Sequence, residues 1–195
     1  MNTNKATASR HTTAWLLALA ALTALASAAC SDDEPKSPAK DSSANTFGNC
    51  SRGVLESDRG DDLALAGPGV DPETGRLAAG NYLVATTYLA LKPDKADRAL
   101  ELGGPVVESL FAMKGFVAFS TTQSSSCATL RTLTIWQSEE DMLTFVTSPA
   151  HVTAMSAISE LSRGTSNTIA WEGSEKDASW ERAAKYLAAE TGGDH

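Results

Sequence analysis

The chain has 195 residues, enough for one ordinary domain with tails, and its 42% hydrophobic and 21% charged residues are typical of a globular protein. Its formal net charge is −8 at pH 7, and no cluster of Lys and Arg interrupts this acidity. These values argue against nucleic acid and against an anionic membrane surface as binding partners.

Residues 1–29 have the pattern of an export signal. Two basic residues precede an apolar run at 14–26, which is shorter than the ~20 residues of a membrane-spanning helix. The small residues before Cys30 resemble a bacterial lipoprotein signal, in which that cysteine is lipidated, although Ser27 stands where the motif usually has Leu. Ordinary secretory cleavage also fits. The lipoprotein interpretation predicts a periplasmic or outer-membrane location in the bacterial cell envelope, with the lipid as the only membrane contact.

Two segments separate this signal from the main domain. Residues 30–46 contain no large apolar residue, so we predict a disordered tether. Residues 47–80 combine turn sequences with too few apolar residues for a core of their own, and we predict an arm that packs on the domain. Within it, Asp58, Asp61 and Asp62 lack the spacing of an EF-hand loop, which favours a solvated loop over a calcium site.

The cysteine count indicates a disulfide. If Cys30 is lipidated, Cys50 and Cys127 remain as an even pair in an oxidising compartment. A bridge between them would close a long loop and could stabilise the fold by up to ~4 kcal/mol in the chain-entropy model. Two isolated thiols do not predict a metal site, and we expect none.

From residue 81 the hydrophobic pattern becomes that of a folded domain. Strands are predicted at 82–91, 116–122, 128–136 and 166–172. A helix at 94–102 should break or kink at Gly103-Gly104-Pro105 and continue beyond the proline. Two short helices, capped by Ser138 and Ser148, are expected between the third and fourth strands.

A last helix is expected after the fourth strand, in the segment 174–195. Ser174 has Asp177 three residues later, which is the spacing of a capping box. One face of this helix is apolar, and it comprises Trp180, Ala183, Ala184 and Leu187. The resulting order is β-α-β-β-α-β plus a helix, which is the ferredoxin-like arrangement.

The stretch 132–155, TLTIWQSEEDMLTFVTSPAHVTAM, carries a family resemblance. Its pattern Trp-x-Ser-x-x-x-Met-x-x-Phe-x-x-Ser-x-Ala-His resembles the third strand and following helices of the antibiotic biosynthesis monooxygenase (ABM) domains. The resemblance covers residues 81–173. It implies an α+β fold, with a ferredoxin-like βαββαβ sheet, helices on one face, and two such sheets closing into a dimeric α+β barrel.

The resemblance implies that the barrel binds or oxidises a small, largely apolar molecule, as in cofactor-independent monooxygenases. No catalytic residue can be assigned. The alternative is a non-catalytic binding or envelope-associated protein that uses the barrel as a dimerisation module. Haem is disfavoured, because Thr87, Phe145 and Met155 stand near or at the positions where haem-degrading relatives have Asn, Trp and His. We therefore expect no cofactor.

The homodimer is also expected from the residues themselves. The first strand is apolar on both faces, and a single helical layer can cover only one of them. We therefore predict a partner sheet on the second face, with Thr86 and Tyr88 in the interface. The last helix is expected to dock at the edge of the barrel.

Six residues are candidates for the pocket: His151, Trp136, Arg131, Tyr82, Tyr88 and Asn167. His151 could ligate haem iron, but a solvated or hydrogen-bonded histidine is the simpler interpretation. Trp136 is more typical of packing than of catalysis. Arg131 could meet an anionic ligand or pair with an acid within the sheet. The two tyrosines could line a pocket or fill the dimer interface. Asn167 is a candidate pocket residue only because it lies on the last strand.

Overall fold

The computed structural model describes residues 47–60 and 63–190. The predicted signal, the lipidation site Cys30, the tether, and the acidic residues Asp61 and Asp62 lie outside the described residues. Within the described ranges, no helix is long and apolar enough to span a bilayer.

The domain follows the predicted order β-α-β-β-α-β and ends in an additional helix. The elements are β1 (Asn81–Leu91), α1 (Ala96–Leu110), β2 (Phe116–Ser124), β3 (Thr129–Trp136), α2 (Glu139–Val146), α3 (Pro149–Ser156), α4 (Ile158–Leu161), β4 (Ser162–Ser174) and α5 (Trp180–Ala189). The strands form one antiparallel sheet in the order β2-β3-β1-β4. This confirms the ferredoxin-like α+β fold.

The serines predicted to cap the helices after β3 do so. The Ser138 hydroxyl accepts the Asp141 backbone N–H at 3.2 Å and donates to the Asp141 carboxylate at 2.6 Å. Ser148 accepts the backbone N–H of His151, and Pro149 occupies the first turn of α3. These contacts satisfy N–H groups that have no partner within the helix.

The last capping box lies one turn earlier than the last helix. Ser174 and Asp177 form the box, but it closes a short 3-10 turn at Glu175–Asp177. The helix itself begins after Ser179, whose hydroxyl accepts the backbone N–H of Arg182 at 3.2 Å. Ser174 and Ser179 are both suitable capping residues, and the sequence alone does not distinguish between them. The structure shows that Ser179 is the residue that caps α5.

The expected break in the first helix does not occur, because α1 runs as one helix through Gly103, Gly104 and Pro105. A proline inside a helix removes one backbone hydrogen bond and costs stability. The helix persists because it is packed against the sheet on both sides of these three residues. Leu102 lies against one apolar cluster of the domain and Val106 against another, so tertiary contacts outweigh the local preference.

Two apolar clusters lie between the helices and the sheet, on the surface that we call the helix-side face. One cluster joins Leu83 of β1 to Trp136 of β3 and to Phe145 of α2. The other joins Leu89 and Leu91 of β1 to residues of α1 and α4. Because side chains alternate along a strand, the odd-numbered residues of β1 therefore point to this face.

The arm-side face is the opposite surface of the sheet, and the chain itself covers it. On β1 it presents the side chains of Tyr82, Val84, Thr86, Tyr88 and Ala90. Trp180 and Ala183 of α5 pack on its centre, together with Leu65 and Leu77 of the arm. Leu187 of α5 packs on Tyr88 and Ala90.

A partner sheet was predicted to cover this face, with α5 at the edge of the barrel, whereas in the structure the arm and α5 cover it. Val84 and Leu133 have 0% exposed surface, and Thr86 and Tyr88 have 2% each. The sequence pattern correctly indicated that both faces of β1 are buried. It did not indicate that the cover comes from the same chain.

The arm at residues 47–80 is joined to the sheet by backbone pairing and by a disulfide. Ala66 exchanges two hydrogen bonds with Phe119 at the outer edge of β2, at 2.9 and 2.8 Å. The predicted disulfide between Cys50 and Cys127 is present, with the two Cα atoms 5.6 Å apart. Since an unpaired edge strand invites association, the bridge at Ala66 also protects the β2 edge.

Candidate functional site

The six predicted pocket residues do not meet in one site. Tyr82, Tyr88, Arg131 and Asn167 belong to the arm-side face, whereas Trp136 belongs to the helix side and His151 lies on α3. The arm and α5 fill the space beside the arm-side face in which a pocket between two sheets was expected. The predicted constellation is thus two separate groups with different environments.

Arg131 lies at the centre of the arm-side group and is 1% exposed. Its Nε and Nη2 atoms donate to the two carboxylate oxygens of Glu56, at 2.8 and 3.1 Å. Its remaining bonds go to the backbone carbonyls of Ser51, Arg52 and Val54. The acid predicted within the sheet therefore comes from the arm instead, and the guanidinium is bound by the protein itself.

Three further arm-side residues surround this pair. The Thr129 hydroxyl donates to the Glu56 carboxylate at 2.8 Å, and the Tyr88 ring lies 4.6 Å from the guanidinium carbon of Arg131. Burial raises the pKa of the Tyr88 hydroxyl, and the negative charge of Glu56 raises it further. Asn167 is buried, and its side-chain oxygen has no protein partner. Thr129, Glu56 and Arg131 thus form a buried hydrogen-bonded network, beside which the Tyr88 ring packs.

Tyr82 lies at the rim of this face rather than in a pocket. Its ring packs against the apolar cluster that α5 and the arm share with the sheet. Its hydroxyl donates to the Ala78 carbonyl at 3.0 Å. The residue therefore fixes the end of the arm at the start of β1.

Trp136 and His151 are linked on the helix side through tilted contacts with the ring of Phe145. Trp136 is fully buried, and its ring centre lies 5.4 Å from that of Phe145, which in turn lies 4.8 Å from the His151 ring. His151 Nδ1 lies 2.9 Å from the Val146 carbonyl oxygen. Burial lowers the pKa of His151 despite this contact. The ring is half-buried, packs on Phe145 and contacts a backbone carbonyl, which is the environment of a hydrogen-bonded histidine.

A row of four threonines crosses the helix-side face, one from each strand. Thr121 of β2 is paired with Thr132 of β3, Thr132 with Thr87 of β1, and Thr87 with Thr168 of β4. Directly opposed residues in antiparallel strands share a face, so the four side chains form one transverse line. The hydroxyls of Thr87 and Thr168 are 2.9 Å apart.

This threonine row lies between the two helix-side clusters and is open to solvent at its ends. Thr121 and Thr168 are exposed, while Thr87 and Thr132 are half-buried. Above the sheet, α1 packs through Leu102 on one cluster and through Val106 on the other. The row is therefore less covered than the clusters on either side, whose central residues are buried.

The chemistry that the row offers is hydrogen bonding without charge. Each threonine hydroxyl both donates and accepts a hydrogen bond, and none ionises near neutral pH. The apolar clusters on either side add hydrophobic contact. The arrangement thus suits an uncharged molecule with an apolar body and one or more polar groups. Each of the four predicted strand segments contains a threonine of this row, but the sequence does not show that the four residues are paired with one another.

The side chains of the described residues were compared with those that a metal ion or a haem would need. Across residues 47–60 and 63–190, no group of three or more His, Cys, Asp or Glu side chains could hold a metal ion. Phe145, at one position tested for haem, is buried between Trp136 and His151. Met155, at another, is 49% exposed on α3. The residues at these positions do not fit a haem pocket.

Comparison with known proteins identifies the central part of the chain. Residues 82–157 match the family model for antibiotic biosynthesis monooxygenase. This range runs from β1 to the end of α3, and therefore excludes the arm, β4 and α5. No curated protein matches the chain.

Several solved structures are similar to about half of this chain at low sequence identity. A conserved protein from Methanosarcina mazei Go1 is 15% identical, covers 46% of this chain and 90% of its own, and has a TM-score of 0.43. A protein from Mycobacterium tuberculosis is 13% identical, with 46% and 92% covered and a TM-score of 0.43. An antibiotic biosynthesis monooxygenase is 13% identical, with 46% and 95% covered and a TM-score of 0.43. Together with the family model, the strand order shows that the chain contains an ABM-like domain with the ferredoxin-like fold.

Proposed function

We propose that the protein is an extracytoplasmic lipoprotein whose ABM-like domain binds a small, largely apolar molecule over the threonine row. The row carries this proposal, because it presents hydroxyls from all four strands in register on a partly open surface. The family similarity further supports oxidation of that molecule by a monooxygenase-type reaction. The residues of the row would orient the molecule, and they supply no acid or base at neutral pH.

Binding is tested with Thr87→Val and Thr132→Val, which keep the side-chain shape and remove a hydroxyl. Native mass spectrometry of the purified protein would identify any co-purified molecule, and titration with the neutral dye N-phenyl-naphthylamine would give relative affinities. Loss of one hydrogen bond should weaken binding by about tenfold. Thr122→Val is the matched control, because Thr122 pairs with Arg131 on the opposite face of the sheet. Equal affinity in all variants would remove the threonine row from the proposal.

A non-catalytic binding protein is the second candidate, and the filled arm-side face favours it. The space in which a barrel pocket was expected is packed with side chains of the arm and α5. Oxygen consumption with the molecule identified above separates the two candidates. Consumption that requires both the protein and the molecule supports the oxygenase, whereas binding without consumption supports the second candidate.

The envelope location is supported by the disulfide, since such bonds persist in oxidising compartments. We expect Cys30→Ser to abolish labelling by a fatty-acid probe and to release the protein from membranes. Ser42→Ala in the predicted tether is the control and should keep both properties. Labelling that survives the loss of Cys30 would remove the lipid anchor.

The proposal includes a homodimer, which the family similarity suggests. The arm and α5 occupy the arm-side face, so a dimer of this chain must use another surface while they remain in place.

A further inference from the structure

The arm is attached to the domain in two different ways along its length. Residues 63–77 are held by apolar packing of Leu65, Val70 and Leu77 and by the backbone pairing of Ala66. Residues 47–58, which we call the latch segment, contribute Leu55 to the apolar clusters and the Phe47 ring to a contact with Arg163, while Val54 is 56% exposed. The latch segment therefore depends on a few specific bonds.

Most of those bonds lie at the turn between β2 and β3 and on the residues beside it, while Arg52 donates to the Glu190 carbonyl after α5 and Phe47 contacts Arg163 of β4. The Asp58 carboxylate accepts hydrogen bonds from the Ser124 hydroxyl at 2.6 Å and from the Ser126 backbone N–H at 2.8 Å. These hydrogen bonds lower the pKa of Asp58 from 3.8 to about 2, and the bond from Ser124 has the largest effect. Glu56 binds Arg131, and Cys50 is bonded to Cys127. The disulfide is thus the covalent bond that attaches the latch segment to the sheet, beside several polar contacts.

The disulfide lies beside open space. Both cysteines line a surface cleft of about 550 Å³, together with Gly48, Glu56 and Ser126. Cys50 is only half-buried. A reducing partner can therefore approach the disulfide from the cleft without unfolding the sheet.

We propose that the disulfide between Cys50 and Cys127 is a redox latch. Its reduction releases the latch segment as a unit and uncovers Arg131 as a binding site for a carboxylate anion, while the sheet stays folded. This proposal is independent of the threonine row, which lies on the other face of the sheet.

The reductant is a protein dithiol. One of its thiolates attacks the Cys50 sulfur, the bond to Cys127 breaks, and Cys127 leaves as a thiolate. The second thiol of the dithiol then attacks the mixed disulfide and releases Cys50. Two electrons and two protons pass to the chain, which ends with two thiols, and the dithiol ends as a disulfide.

The class of ligand follows from the group that the latch segment presents to Arg131 in the oxidised protein, which is the carboxylate of Glu56. Glu56 presents two carboxylate oxygens to Nε and Nη2 of Arg131 and accepts a third bond from Thr129. When the segment leaves, the guanidinium and the hydroxyl keep their positions on β3. A planar carboxylate is the group that matches this pair of donors.

The sheet can survive this opening because its core lies elsewhere. The clusters on both faces are formed by residues 63–187, and Leu55 is the one latch-segment residue packed against the main cluster. Release of residues 47–58 therefore removes polar contacts and leaves most of the apolar core in place.

The test compares the oxidised protein with the same protein under a dithiol reductant. Hydrogen exchange in residues 47–58 should become faster by about tenfold or more, while β1 and β3 keep their protection. Phenylglyoxal should modify Arg131 only after reduction, whereas the partly exposed Arg98 reacts in both states. Acetate, as the carboxylate probe, should slow the modification of Arg131 and leave that of Arg98 unchanged.

A Cys50→Ser, Cys127→Ser double variant should behave as the reduced protein without any reductant. Should that variant fail to accumulate, reduction of the folded wild-type protein gives the same information. The proposal is overturned if the latch segment stays protected after reduction, or if β1 and β3 lose protection together with it. An acetate effect equal at Arg131 and Arg98 would likewise overturn the carboxylate site.

Discussion

Arg131 shows how a single buried charge organises the N-terminal part of this protein. The residue lies in the middle of β3, and its carboxylate partner Glu56 precedes it by 75 positions. A buried arginine in a strand requires a partner, because an unpaired buried charge is costly. The identity of that partner, Glu56, is not visible in the sequence, since no periodicity links an irregular arm to a particular strand residue.

The pair makes a prediction about stability. Glu56→Ala should lower the free energy of unfolding by about 3–5 kcal/mol, because it leaves the Arg131 guanidinium buried without its carboxylate. A double variant, Glu56→Ala with Arg131→Met, should recover part of this loss, since no unpaired charge remains. Urea unfolding of the oxidised proteins gives the values.

A solvent-exposed ion pair provides the comparison for this experiment. Asp94 lies 3.8 Å from Lys95, and its side chain is 76% exposed. Asp94→Ala should therefore change the unfolding free energy by less than about 1 kcal/mol. Equal losses for Glu56→Ala and Asp94→Ala would contradict the view that burial makes the Arg131 pair important.

At the scale of elements, helix caps and apolar helix faces were predicted from the sequence more accurately than the surfaces on which the helices pack. The capping serines Ser138 and Ser148 act as predicted, because a cap depends on residues within one turn. The apolar face of α5 was also predicted from spacing, and Trp180 and Leu187 are buried. Which surface α5 covers was predicted wrongly, since the spacing of apolar residues does not encode the direction of the chain after a loop.

The candidate site illustrates the same limit. Each threonine of the row was visible in its own strand segment, but the row exists only through the register of four strands. Register depends on long-range pairing and on the turns between strands. The candidate residues that were chosen for their chemistry, such as Arg131 and His151, are instead engaged by the protein's own groups.

At the scale of the whole molecule, the segments outside the ABM-like region change how the sheet is used. Residues 82–157 match the family model, and the arm and α5, which cover the arm-side face, both lie outside that range. The apolar face for which a partner sheet was predicted is thus covered by residues of the same chain. Burial of such a face removes the exposed patch from which the dimer was inferred.

This intrachain cover is tested by Thr86→Glu, the substitution expected from the sequence to split a dimer. Thr86 is 2% exposed, and its hydroxyl donates to the Thr132 carbonyl at 2.7 Å, so a carboxylate there would be buried and unpaired. We expect the free energy of unfolding to fall by the same amount at low and at high micromolar protein concentration. The sedimentation of the protein that remains folded should not change. Thr87→Glu is the matched control, because the adjacent residue points to the half-open helix-side face and should cost less. If Thr86→Glu instead converts a dimer into a folded monomer of unchanged stability, the arm-side face is an interface between chains, and the arm and α5 do not cover it in solution.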